Sequence, residues 1–274
     1  MSSLLLSLLL LSSTSAYIVR PSTSSFKFSR TTTRLNGWGP DPIWTENSIS
    51  ALTPISTDPD IVSLKIKYDR ISEFTKAGQY VQVQTPESDD KVSYLAMCNP
   101  PESEELSFMV KKSDSTSYLF NSPPSSLQVS QVLGSGFKIG DNIDGFKIDF
   151  PVNQVIFVCT GTGIAPIKSL IDSNEINLSE SRKGILYWGL SNDSYCESLI
   201  EEFKGNENLD VVPVFSNPTV NQRIGYVQNI VEEDGIKVPR NTAMVLVGQK
   251  EMSESVKRLA KEAGVMEERI LSNF

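Results

Sequence analysis

The sequence predicts two successive folding units: an antiparallel β-barrel or sandwich, then a doubly wound parallel α/β domain. Three observations carry that reading. Between about Ser48 and Ile148, apolar and polar residues alternate in short runs. From about Gln154 onward, continuous apolar runs alternate with amphipathic helical stretches. Between the first of those runs and its helix stands the glycine-rich turn Gly161-Thr162-Gly163.

The chain opens on an address rather than a fold. Residues 3–16 hold the mostly apolar run Leu4–Leu11, too short to span a bilayer. Small residues lead to Ala16, with Thr14 two before it, which suits signal cleavage although no Lys or Arg precedes the run. Residues 17–35 hold Arg20, Lys27, Arg30 and Arg34, many hydroxyls and no acid, which is transit-peptide composition. The joined segments resemble the two-part presequences of algae with secondary plastids, with Ser15-Ala16-Tyr17 at the junction. That resemblance implies a plastid (chloroplast) protein; a secreted protein with a Ser/Thr-rich linker is the other reading.

Composition excludes several chemistries. The 274 residues include 25 Lys+Arg, 33 Asp+Glu and no His. Without His there is no Ser-His-Asp triad, no Cys-His dyad and no His-ligated zinc. Cys98, Cys159 and Cys196 form an odd set without a C-x-x-C, so neither a disulfide framework nor a metal site is expected. Taking the four presequence cations from the 25 leaves 21 bases against 33 acids, a charge of −12. Such a field repels polyanions, so no nucleic-acid partner is expected. No transmembrane segment is expected in the mature chain either.

Residues 45–149 form the first unit. Val62-Ser-Leu64-Lys-Ile66-Lys-Tyr68 alternates strictly; the runs from Tyr80 and from Leu106 to Val110 do so less strictly. Turn-formers such as Pro86–Asp90 and Pro100-Pro101 separate them. Residues 150–274 form the second unit. Val155–Cys159, Gly184–Trp188, Val211–Phe215 and Met244–Val247 read as strands covered on both faces. Glu251–Ala263 reads as a helix with Met252, Val256, Leu259 and Ala263 on one stripe.

The turn after the first parallel strand carries the strongest chemical signal. In Gly161-Thr162-Gly163-Ile164-Ala165-Pro166, two glycines allow backbone N–H groups to approach an anion, and Pro166 suits the first turn of a helix. A P-loop is excluded because Ile167 stands before Lys168-Ser169. A dinucleotide turn lacks its third glycine at Pro166, and a purely structural turn also fits the spacing.

The string itself resembles the pyridine-dinucleotide signature of the ferredoxin–NADP reductase superfamily. Ala77-Gly78-Gln79-Tyr80-Val81, Gly184–Gly189, Gly225-Tyr226-Val227 and Val247–Met252 resemble further motifs of that family, and its plant fruit-protein branch is the nearest in pattern. The resemblance covers the chain from about residue 45 onward. It implies an FAD-type β-barrel followed by an NAD(P)-binding domain. The implied reaction passes hydride between NAD(P)H and FAD, then electrons to an unidentified acceptor.

Residue roles follow from the same resemblance. Tyr94 matches the aromatic that stacks on the flavin, and Leu95, Ala96 and Met97 continue its motif. Ser115, Thr116 and Ser117 match a pyrophosphate contact, and the terminal Phe274 matches an aromatic lying against the flavin. Gly161 to Pro166 would hold the nicotinamide nucleotide, with Gly248, Gln249 and Met252 on the ring side. Two departures stand out. Val92 replaces an arginine that would pair with the FAD pyrophosphate, and Leu95 replaces a hydroxyl at the flavin's reactive edge. Losing one charge-assisted bond of about 1.5–3 kcal/mol weakens FAD roughly 10- to 100-fold.

NAD(H) is favoured over NADP(H), because the second and third parallel strands end in Leu190-Ser191-Asn192 and Ser216-Asn217-Pro218 without an arginine. Arg182 and Arg223 nearby keep NADP(H) open. The alternative function is a catalytically eroded binding or assembly module of the plastid that keeps nucleotide binding without turnover.

Overall fold

The computed structural model describes residues 41–55, 57–86, 91–144, 150–192, 196–217 and 223–272. The presequence and Phe274 lie outside them. Residues 41 to 274 cluster as one contact unit.

The first half is an antiparallel sheet of six strands: β1 (Thr45–Pro54), β2 (Ile61–Ile66), β3 (Tyr80–Gln84), β4 (Ser93–Ala96), β5 (Leu106–Lys111) and β6 (Ser126–Val129). Their order is β4-β3-β6-β1-β2-β5. The seam between β4 and β5 is bridged just past β4, where Cys98 N–H donates to the Ser107 carbonyl at 2.8 Å. The sheet therefore curls into a nearly closed barrel, which decides between barrel and sandwich. Strand β1 pairs with β6 through Ser48 and with β2 from Ile49, with a register shift between Ile49 and Ala51 that bends it around the corner. Alternation fills the interior: Leu64, Ile66, Val81, Val83, Phe108 and Val110 are buried together, while Lys65 faces water. Thr116 is buried in the turn before the short helix α1 (Tyr118–Asn121).

The second half begins at β7 (Gln154–Thr160). It continues through α2 (Ile164–Asp172), β8 (Lys183–Leu190), α3 (Glu197–Lys204) and β9 (Leu209–Phe215). Helix α4 (Val227–Asp234), β10 (Thr242–Val247), α5 (Lys250–Ala263) and β11 (Ile270–Ser272) complete it. The five strands are parallel in the order β11-β10-β7-β8-β9. Chain direction across the sheet reverses at β7, so the carboxyl end of β7 is the switch point where such sheets bind ligands. Every residue of β10 is buried, as befits a central strand covered on both faces.

Helix α5 departs slightly from the predicted stripe. Met252, Val256 and Ala260 are buried, Leu259 is half-buried and Ala263 is exposed. Ala263 is the last residue of the helix, which ends at the left-handed cap Gly264, whose N–H returns to the Ala260 and Lys261 carbonyls.

Barrel and α/β half share one packed cluster. Ile61, Ala77, Met109 and Phe137 from the first half pack with Phe157, Ile164, Leu186 and Trp188 from the second. That common core fixes the spacing of the walls between them. No helix among the described residues is long and apolar enough to cross a membrane.

Candidate active site

A crevice of about 990 Å³ runs between the barrel and the carboxyl ends of β7, β8, β9 and β10. The barrel wall comes from β3, β4 and β5. Pairing of Tyr80 with Ala96 and of Gln82 with Tyr94 puts Tyr80, Tyr94 and Ala96 on the same outer face of the sheet. The other face carries Val81 and Leu95 into the barrel core. Tyr94 is 61% exposed, and its ring lies 6.0 Å from that of Tyr80 at a tilt of 50°. The two rings thus present an aromatic platform to the crevice.

The opposite wall is the glycine-rich turn and the turn after β10. Gly161 takes a left-handed conformation, φ +52°. Its carbonyl accepts a hydrogen bond of 2.9 Å from Nε1 of Trp188, a fully buried indole on β8. A side chain at Gly163 would put its Cβ 2.8 Å from the Val247 carbonyl oxygen, so only glycine lets α2 start this close to β10. A Cβ at Gly248 would collide with Thr160 Oγ1, and φ there is +151°. Thr160 Oγ1 also accepts from Gln249 N–H at 3.4 Å. The two turns are thereby held together over the end of β7. Helix α2 starts at the turn, so its positive end faces the crevice.

Most of the residues that the sequence singles out meet here. Tyr94, Leu95, Ala96, Gly161, Thr162, Gly163, Ala165, Pro166, Gly248, Gln249 and Met252 all line the crevice. Leu95 does so while only 8% exposed, because strand alternation gives its side chain to the barrel core. Met97 is placed elsewhere: it is fully buried in the barrel core, two positions beyond Leu95 on the same inward face. Ile164 is likewise core, packed under the first turn of α2.

Ser115, Thr116 and Ser117 do not line the crevice. Their hydroxyls are engaged locally. Thr116 Oγ1 donates to the Lys111 carbonyl at 2.7 Å and accepts from Ser113 N–H at 2.8 Å. Ser93 Oγ meets Ser115 Oγ at 2.9 Å, and Ser117 Oγ donates to the Asp114 carbonyl at 3.3 Å. Among the described residues, no group of His, Cys, Asp and Glu is arranged to hold a metal. Burial pushes the thiol of Cys159, at the end of β7, well up, so it stays protonated beneath the turn.

Sequence reasoning assigned no site role to several crevice residues. Tyr80 stands in a barrel motif without a role of its own, although its alternation with Val81 and Val83 puts it on the outer face. Met109, Thr160, Val214 and Glu251 carried no local signal. Tyr226, 65% exposed beside Ser216 and Gly225, is the second aromatic surface, at the β9 end of the crevice.

The two arginines that keep NADP(H) open in the sequence are committed elsewhere. Arg182 precedes β8, at the end of the sheet away from the crevice, and donates to the Val152 and Ile176 carbonyls at 3.1 and 2.9 Å. Arg223 makes a forked pair with Asp234, at 3.1 and 2.6 Å.

Fold and crevice together define a two-domain, dinucleotide-binding oxidoreductase architecture. Residues 157–258 match the oxidoreductase NAD-binding domain. The chain is 31% identical over 257 residues to the fruit protein pKIWI502 of Actinidia deliciosa, covering 84% of this chain and 76% of that protein. It is 27% identical over 169 residues to the reductase component of propane 2-monooxygenase from Mycolicibacterium smegmatis, covering 57% of this chain and 45% of that one. In fold it is similar to a ferredoxin NADP+ reductase from Neisseria gonorrhoeae with bound FAD and NADP (TM-score 0.67, 14% identity, covering 85% of this chain and all of that one). It is also similar to the Amycolatopsis cytochrome P450 reductase GcoB (TM-score 0.69, 20% identity, 85% and 70% covered). The chain belongs to the ferredoxin reductase-like family of FAD/NAD-binding oxidoreductases, with the Actinidia fruit protein among its relatives.

Proposed function

We propose that this protein is a flavin-dependent NADH oxidoreductase that passes electrons to a separate acceptor, in a plastid. The observation that carries the reading is the facing of two walls. An exposed tyrosine platform on the barrel looks across the crevice at a glycine-rich turn and helix start on the α/β half.

The barrel wall fits the ring system of a flavin. Tyr94 offers an open aromatic face, Tyr80 backs it, and Ala96 is small enough to leave the ring room. Bound there, a flavin supplies a two-electron acceptor for the nicotinamide hydride and an outlet for single electrons. The chain's own part is to bind, orient and exclude water. Backbone N–H groups at Gly161–Gly163 and the positive end of α2 stabilise a dinucleotide's pyrophosphate. Gly248 lets the nicotinamide end lie close to β10, and Met252 gives it an apolar contact. Tyr226 offers its ring to the adenine at the far end. No protein base is needed for hydride transfer between stacked rings, which suits a chain without His.

Binding of NADH over NADPH is supported by the arginines. A 2′-phosphate near Ser191 and Ser216 would find Arg223 already paired with Asp234 and Arg182 at the other end of the sheet. The composition of residues 1–35 supports the plastid assignment, which a fluorescent fusion of that segment would test.

The central experiment is anaerobic. Supplied with FAD, the purified chain should let NADH bleach the flavin absorbance at least tenfold faster than equimolar NADPH. A protein that binds NADH but leaves the added FAD unbleached would instead be a nucleotide-binding module without turnover.

A further inference from the structure

The crevice is poor in charge. Among the described residues that line it, Lys111 on β5 is the one cation and Glu251 at the start of α5 the one carboxylate. If a flavin and a nicotinamide nucleotide both sit here, as the proposed function requires, two pyrophosphates must be held. The glycine-rich turn and the α2 terminus serve the one on the α/β wall. The other lies on the barrel side, where the polar turn after β5 has little to offer. The hydroxyls of Ser113, Ser115, Thr116 and Ser117 are bonded to one another and to backbone carbonyls, and the same turn exposes the Asp114 carboxylate, which repels phosphate. Beside the single charge of Lys111, what the barrel wall offers is aromatic and apolar surface: Tyr94, Tyr80, Ala96 and Met109.

We propose that this crevice takes flavins by their ring system and not by their pyrophosphate, so that riboflavin and FMN occupy it about as tightly as FAD. The barrel site then selects for the isoalloxazine and tolerates any tail. A flavin held by stacking also exchanges with the free pool instead of remaining with the protein through purification.

The test is a titration of the full chain with riboflavin, FMN and FAD, read by quenching of flavin fluorescence, at about 0.05 M and about 0.5 M salt. The expected dissociation constants lie within about fivefold of one another and shift by less than about threefold with salt. Tyr94→Ala should weaken all three in parallel by about tenfold, and Tyr94→Phe, which keeps the ring, should restore them. FAD binding about fiftyfold tighter than riboflavin, with the gap closing in high salt, would overturn the inference while leaving the flavoprotein reading intact. Quenching of none of the three would overturn the flavoprotein reading, and this inference with it.

Discussion

Nε1 of Trp188 donates to the carbonyl of Gly161 at 2.9 Å, tying the glycine-rich turn to the neighbouring strand from beneath. The indole is fully buried and meets Phe203 edge-on, with centroids 6.3 Å apart. The same carbonyl also accepts the backbone N–H of Ile164 at the start of α2. Trp188→Phe keeps much of the packing and removes the N–H. Because the carbonyl keeps the Ile164 N–H, losing the indole bond costs about 0.5–1.5 kcal/mol. The expected result is a several-fold rise in KM for NADH with a smaller change in kcat, together with a thermal midpoint lower by a few degrees. Steady-state kinetics and a thermal melt check both; an unchanged KM would mean that the turn is held by its backbone alone.

Gly163 tests how closely the two turns must approach. A methyl there meets the Val247 carbonyl oxygen at 2.8 Å, and backbone on both sides cannot yield as a side chain can. Gly163→Ala should push the start of α2 away from β10, at a cost of about 1–3 kcal/mol. Nucleotide binding should fall more than stability does, because the displaced N–H groups are those proposed to face the pyrophosphate. An NADH titration beside a urea melt separates the two effects. By contrast, Gly140→Ala, where an added Cβ meets nothing within 4 Å, should leave NADH binding unchanged.

The three thiols should be quiet. Burial pushes Cys98 up to about 11 and Cys196 up to about 12, and Cys159 goes well above the usual thiol range. At pH 8 the thiolate fraction of even Cys98 is on the order of 0.1%. Iodoacetamide should therefore modify the native protein slowly at all three positions, then rapidly once denaturant exposes them. Mass spectrometry against time reads this directly. Fast modification of native Cys98 would show that the seam between β4 and β5 opens readily, since Cys98 N–H bridges it.

Much of this architecture was legible in the sequence, for identifiable reasons. The central parallel strands are continuous apolar runs because both faces are covered, so β7, β8 and β10 could be read within one to two residues. The chain's reversal at β7 could not, since strand order depends on which edges pair, which periodicity does not encode. The crevice wall on the α/β side was legible because glycines at 161, 163 and 248 are required by backbone approach. The barrel wall was less so. Tyr94 and Met97 sit in one quoted motif, but alternation and the strand's end send one out and the other into the core. The Ser115–Ser117 hydroxyls carry a binding pattern, yet their partners are Ser93, Ser113 and the Lys111 and Asp114 carbonyls. Whether a hydroxyl is spent locally depends on turn geometry that no short motif states.

Arg223 and Asp234 offer the sharpest test of nucleotide choice. The guanidinium reaches both carboxylate oxygens, and Tyr187 O–H donates to the same carboxylate at 2.9 Å. The Arg223 hydrogen bonds are the main cause holding Asp234 below its ordinary value of 3.8. Because the folded value is depressed, the stability from this pair is fully present above the unfolded pKa and is lost as pH falls through the folded one. The pair is partly exposed, so its contribution is about 0.5–1 kcal/mol. Asp234→Asn should lose that much at pH 7 and nothing relative to wild type once the native carboxylate is protonated, which urea melts over a pH series would show. The same substitution uncouples Arg223, whose backbone carbonyl is fixed to Phe215 N–H at the end of β9 beside Ser216. Arg223 is then left with only the looser Glu233 contact at 3.8 Å, and a guanidinium so loosened can meet a 2′-phosphate, so the ratio of kcat/KM for NADPH over NADH should rise several-fold. If the melts change as described but that ratio does not, the nucleotide's 2′ position lies out of reach of Arg223, and the basis for preferring NADH must be sought at Ser191 and Ser216 themselves.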